Sequence, residues 1–63
     1  MSYQILREHI IRFLKEVRGR AGIEQIIAGV NIAPKIAKET LEKMRKEGIL
    51  GYDKRTERYI TIN

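Results

Sequence analysis

Ile26-Ile27-Ala28-Gly29-Val30-Asn31-Ile32-Ala33-Pro34-Lys35-Ile36-Ala37-Lys38-Glu39-Thr40-Leu41 is the stretch whose spacing decides the fold. Ile27, Val30, Ile32, Ala37 and Leu41 are its apolar positions, and Asn31 interrupts the helical pattern between Val30 and Ile32. A sharp turn between two helices needs a residue with left-handed backbone. Glycine supplies it at no steric cost, and asparagine is the next most tolerant residue. Pro34 then suits the first position of a new helix, where no N–H is needed and φ is already helical. The run reads as helix, tight turn, helix.

Working outward, Ile23, Ile26, Ile27 and Val30 give residues 23–30 one apolar face, with Glu24 in the first turn where the helix dipole favours an anion. Residues 33–47 form a longer helix with Ala37, Leu41 and Met44 as its buried stripe. Lys35, Lys38, Glu39, Glu42, Lys43, Arg45 and Lys46 cover the rest, and Lys38 with Glu42 and Glu39 with Lys43 are spaced as opposite-charge pairs one turn apart. Gly48 ends this helix. Upstream, Tyr3, Leu6, Ile10, Phe13, Leu14 and Val17 predict a helix over about residues 3–18, with Ser2 as N-cap and a flexible turn at Gly19 and Gly22. Ile5 lies off this stripe and Ile11 at its margin, which suits either stray surface aliphatics or a subunit contact. Downstream, two runs rich in branched and aromatic residues flank the polar residues 53–57, so residues 49–62 read as a β-hairpin packed on the helices. Tyr52 and Tyr59 are expected to be cross-strand partners.

A chain of 63 residues holds one small core. Lysine and arginine outnumber aspartate and glutamate 13 to 8, and the net charge of +5 favours an anionic partner. Without cysteine there is neither disulfide nor thiolate metal site, and the lone His9 cannot build a metal site by itself. No phosphate-cradling loop, metal-ligand set or paired-carboxylate pocket is legible, so an enzyme, a cofactor or a small-molecule ligand is not expected. Few aromatics argue against stacking on RNA or single strands. No apolar run has transmembrane length and the first residues lack a signal-peptide layout, so a cytoplasmic location without a membrane partner is expected.

The order of helix, short helix, longer helix and hairpin is carried by Ile26-Ile27-Ala28-Gly29-Val30-Asn31-Ile32-Ala33-Pro34 and Leu41-Glu42-Lys43-Met44-Arg45-Lys46-Glu47-Gly48-Ile49-Leu50. It resembles the winged helix-turn-helix superfamily, in the manner of small bacterial and archaeal transcription regulators. The second run is similar to that family's usual end of the recognition helix: leucine, two polar, apolar, three polar, glycine, two apolar. The resemblance spans residues 5–62 and implies one α+β, mainly α, domain over residues 1–63, with three helices and a C-terminal β-hairpin wing.

It also implies a transcriptional regulator that binds double-stranded DNA sequence-specifically, the third helix in the major groove and the wing on the backbone or adjacent minor groove. The residues it singles out are Pro34, Lys35, Ile36, Lys38, Glu39 and Glu42 on the helix, and Lys54, Arg55 and Arg58 on the wing. Lys35 and Lys38 would reach guanine acceptors or phosphates, Glu39 and Glu42 cytosine amino groups, and Ile36 a thymine methyl. Arg7 with Arg12, or Arg18 with Arg20, would add phosphate contacts. Each helix side chain is equally readable as solvated surface. Ala33 departs from the serine or threonine common in the family, which leaves the first-turn amides free for a phosphate or water. A homodimer is left open, through Ile5 and Ile11 or through Ile60 and Ile62 of the last strand. So is a protein–protein interaction module of a larger nucleic-acid-associated assembly, which the mixed charge of the third helix would suit.

Overall fold

In the computed structural model, which describes residues 2–62, three helices and three strands follow in the order α1 (Tyr3–Glu16), β1 (Arg20–Ala21), α2 (Ile23–Val30), α3 (Pro34–Lys46), β2 (Leu50–Asp53) and β3 (Arg58–Thr61). α1 begins where the Ser2 hydroxyl oxygen accepts from the Ile5 N–H at 3.3 Å, the expected N-cap. It buries Leu6, Ile10 and Leu14 on one face. It stops at Glu16, short of the expected residue 18, because Arg18 and Gly19 take left-handed φ values of 65° and 85°. The Gly19 N–H turns back to the Leu14 carbonyl at 2.6 Å.

The flexible turn expected between Gly19 and Gly22 is a strand instead. Arg20 and Ala21 of β1 pair antiparallel with Ile60 and Tyr59 of β3. Two residues, one exposed and one buried, carry no readable period, and their partners come from the far end of the chain. The expected hairpin is therefore two thirds of a sheet with strand order β1-β3-β2. Its pairs run Leu50↔Thr61, Gly51↔Ile60, Tyr52↔Tyr59 and Asp53↔Arg58, so the strands are shorter than the expected 49–62 span. The linking residues 54–57 are held by Asp53, whose carboxylate accepts the Arg55 N–H at 2.9 Å, and by Glu57 at φ 56°.

α2 lacks a side-chain N-cap at Gly22, but the Gln25 side chain reaches back and accepts the Gly22 N–H at 3.1 Å. At its other end Asn31 adopts φ 62°, as the spacing predicts, and its N–H bonds the Ile27 carbonyl at 2.9 Å. α3 opens at Pro34 behind Ala33, which gives no side-chain cap. It closes with Gly48 at φ 78°, where the Ile49 N–H bonds the Met44 carbonyl and the Gly48 N–H the Arg45 carbonyl, each at 3.0 Å.

The core is Leu6, Ile10, Leu14, Ala21, Ile26, Ala37, Leu41, Met44 and Leu50. It joins all three helices to β1 and β2, and each large member contributes about 1.5–3 kcal/mol by leaving water. Thr40 is also buried, extending the α3 stripe beyond the expected residues. Ile11 packs against the core rather than standing exposed, whereas Ile5 is 47 % exposed. No described helix is long and apolar enough to cross a membrane.

Candidate nucleic-acid interface

With 3.6 residues per turn, burying Ala37, Thr40, Leu41 and Met44 turns Lys35, Glu39, Glu42 and Lys46 to the opposite side of α3. Ile36 and Lys43 then flank this outer face on one side, Lys38 and Arg45 on the other. Pro34, Lys35, Ile36, Lys38, Glu39 and Glu42 are all exposed: Lys35, Glu39 and Glu42 on the outer face, Ile36 and Lys38 on its two sides, and Pro34 at the start of the helix. Lys46, which the sequence reading left out, sits on the same surface; following the helical period one turn further would have found it.

The flanks of α3 are engaged within the fold. Arg45 reaches back to Glu42 at 3.3 Å, and its guanidinium lies over the Tyr52 ring, 5.4 Å from the centroid. The expected Lys38–Glu42 and Glu39–Lys43 pairs are not formed: Glu42 pairs with Arg45, and the Lys43 ammonium sits 4.1 Å above the Tyr3 ring. The Tyr3 hydroxyl donates to Glu47, and Arg7 pairs with the same carboxylate at 3.5 Å. Burial pushes the Tyr3 phenol up, and Glu47 adds to that by accepting its hydrogen bond and by charge, while Arg7 opposes both. Arg7 is thus committed to a contact between the start of α1 and the end of α3. On the sheet side, Tyr52 and Tyr59 form the expected cross-strand pair, with ring centres 4.9 Å apart and planes tilted by 58°. Burial raises the Tyr59 phenol, the Glu42 charge and Tyr52 raise it further, and Arg45 works against them. Lys35, Lys38 and Lys46 are left without a carboxylate partner among the described residues.

Lys54 and Arg55 are exposed in the hairpin loop, as expected. Arg58 is not grouped with them. It opens β3 and lines a hollow of about 380 Å³ together with Val17, Arg18, Arg20 and Gln25. His9 borders a separate groove between α1 and α2, beside Arg12, Phe13, Glu16, Gly29 and Val30. No grouping of three or more histidine, aspartate or glutamate side chains suited to a metal occurs among the described residues.

Compared with protein-family models, curated proteins and solved structures, the chain returns no match. The functional reading therefore stands on the geometry of α3 and the hairpin.

Proposed function

We propose that the chain is a winged helix-turn-helix module that binds double-stranded DNA, with α3 in the major groove and the β2–β3 loop on the backbone or neighbouring minor groove. The observation that carries the reading is the outer face of α3. It follows a left-handed turn at Asn31, is covered by nothing else among the described residues, and holds Lys35, Lys38 and Lys46 unpaired. A helix of this diameter fits a groove about 12 Å wide, and its N-terminal half is the part that reaches base edges. In this arrangement Lys35 and Lys38 meet guanine acceptors or phosphates, Ile36 a thymine methyl, and Glu39 a cytosine amino group. Pro34 sets the start of the helix against the backbone. Glu42 reads a base only by releasing Arg45, an exposed pair worth about 0–1 kcal/mol. Lys54 and Arg55 bind phosphate.

Titration of duplex DNA across salt concentrations tests the proposal. Affinity is expected to fall steeply with salt. Lys35→Ala or Lys38→Ala should weaken one sequence more than others, and Arg55→Ala should weaken all alike. Absence of any complex at micromolar protein and low salt would overturn the reading. That result would favour a protein-binding role for the same surface, to which Ile36 (40 % exposed) lends an apolar contact.

A further inference from the structure

Arg18, Arg20 and Arg58 come from three different parts of the chain: the end of α1, strand β1 and the start of β3. The sheet register brings two of them together. Arg20 lies opposite Ile60, and Arg58, two residues before Ile60, points to the same face of the sheet. Side chains in this diagonal relation stand about 7–8 Å apart at their bases, close enough for two long guanidinium arms to converge. Arg18 joins them around the hollow of about 380 Å³, with Gln25 and Val17 completing its lining. The Gln25 carbonyl oxygen accepts the Gly22 N–H, and its amide NH₂ remains as a further donor.

Two features bear on the charge and placement of this cluster. None of the three guanidinium groups has a carboxylate partner among the described residues. The nearest acid by register is Asp53, opposite Arg58, and its carboxylate accepts the Arg55 N–H of its own loop. Three like charges therefore border one concavity with no ion pair to a carboxylate among the described residues, an arrangement that an anion stabilises. In addition, Arg18 occupies φ 65°, backbone that favours glycine, directly before Gly19 at φ 85°. This left-handed pair closes α1, with the Gly19 N–H on the Leu14 carbonyl, and sets where Arg18 leaves the helix beside the hollow.

We propose that this hollow is a phosphate site, in which the forks of Arg18, Arg20 and Arg58 and the Gln25 amide share the oxygens of one phosphate group. Guanidinium forks match phosphate oxygens two at a time. The phosphate belongs either to a nucleic-acid backbone or to a small free phosphate. The site does not require α3 to read DNA.

The test is a titration of the ¹⁵N-labelled full chain with inorganic phosphate against chloride at matched ionic strength, followed by NMR. Saturable shifts are expected at the arginine Nε–H and Gln25 amide signals. Arg20→Ala/Arg58→Ala should weaken binding about tenfold or more per arginine removed, whereas Lys43→Ala, over the Tyr3 ring, should leave it unchanged. Arg18→Gly should weaken phosphate binding while raising the melting temperature, because it relieves the left-handed backbone. Shifts that never saturate, or that persist in the Arg20→Ala/Arg58→Ala chain, would overturn the site. Competition between inorganic phosphate and a duplex would identify the source as a nucleic-acid backbone. Undisturbed duplex binding, or phosphate binding by a chain that binds no duplex, would identify it as a free phosphate.

Discussion

Gly29 sits in the last turn of α2, at an exposed helical position where alanine would ordinarily stabilise by about 1 kcal/mol. Here a Cβ would fall 2.5 Å from Phe13 Cζ and 2.6 Å from Cδ1, well inside van der Waals contact, so the ring must move. Phe13 is half-buried and packed against the core, and displacing it costs about 1–3 kcal/mol by the usual scale of overpacking. Setting the alanine gain against that cost leaves Gly29→Ala destabilising by roughly 0–2 kcal/mol. Urea unfolding of the wild type, Gly29→Ala, Phe13→Ala and the double variant measures both parts, with midpoints compared at constant m. With the ring gone, Gly29→Ala should recover its normal stabilisation of about 1 kcal/mol, giving a coupling of about 1–3 kcal/mol between the two positions. A Gly29→Ala chain more stable than wild type by about 1 kcal/mol, or a coupling near zero, would refute the close approach of α1 and α2 argued from this contact.

Gly48→Ala meets nothing within 4 Å, yet φ 78° should still cost about 1–2 kcal/mol in a denaturation midpoint, whereas Asn31→Gly should cost nothing. Tyr3 and Tyr59 titrate above the ordinary tyrosine range, so the unfolded chain releases those protons first. Their contribution to stability is full below pH about 10 and declines as pH rises through the folded values, which unfolding curves and phenolate absorbance across alkaline pH will show. Lys46→Ala, at the C-terminal end of the outer face, should lower the salt slope of duplex binding by about 1 without changing sequence preference. Glu39→Gln removes a negative charge from that face and should strengthen binding to all duplexes by unequal amounts, erasing preference at one base position. An equal gain on every sequence in a competition assay would remove Glu39 from base reading.

The punctuation of the fold was legible because it is local. Asn31, Pro34 and Gly48 each answer a backbone constraint within a few residues of themselves, and the structure uses each as its residue type suggests. Features set by distant parts of the chain were not legible. β1 exists because β3 returns beside it, and nothing in Arg20-Ala21 alone announces a strand. Ile11, at the margin of a helical stripe, becomes part of the core side once other elements pack there. On α3 the helical period left Lys35, Glu39 and Glu42 exposed opposite the buried stripe, but the charge pairs went elsewhere. Tyr52 and Tyr3 drew Arg45 and Lys43 toward the edges of the helix, contacts that local spacing cannot encode. The closeness of Arg58 to Arg20 was hidden for the same reason: Arg58 opens β3 opposite Asp53, and only the pairing of Arg20 with Ile60 puts Arg20 on the same face of the sheet.

The distribution of charge follows from these tertiary choices. Glu47 is engaged by Tyr3 and Arg7, Glu42 by Arg45, and Asp53 by the backbone of its own loop. These acids are therefore neutralised or restrained at the end of α3 and in the hairpin, where they hold elements together. Cations without a carboxylate partner among the described residues stand on the exposed surface of α3 (Lys35, Lys38, Lys46), in the hairpin loop (Lys54, Arg55), around the hollow beside β1 (Arg18, Arg20, Arg58) and on α1 (Arg12, Lys15). Cations mixed with acids serve solubility, as on α3, where Glu39 and Glu42 stand among the lysines. Segregated positive charge acts on partners instead: it draws polyanions toward particular faces and fixes the orientation in which they arrive. The α3 face and the hollow also differ in shape. The helix face is long and shallow, suited to an extended groove, and the arginine hollow is compact, suited to a single phosphate.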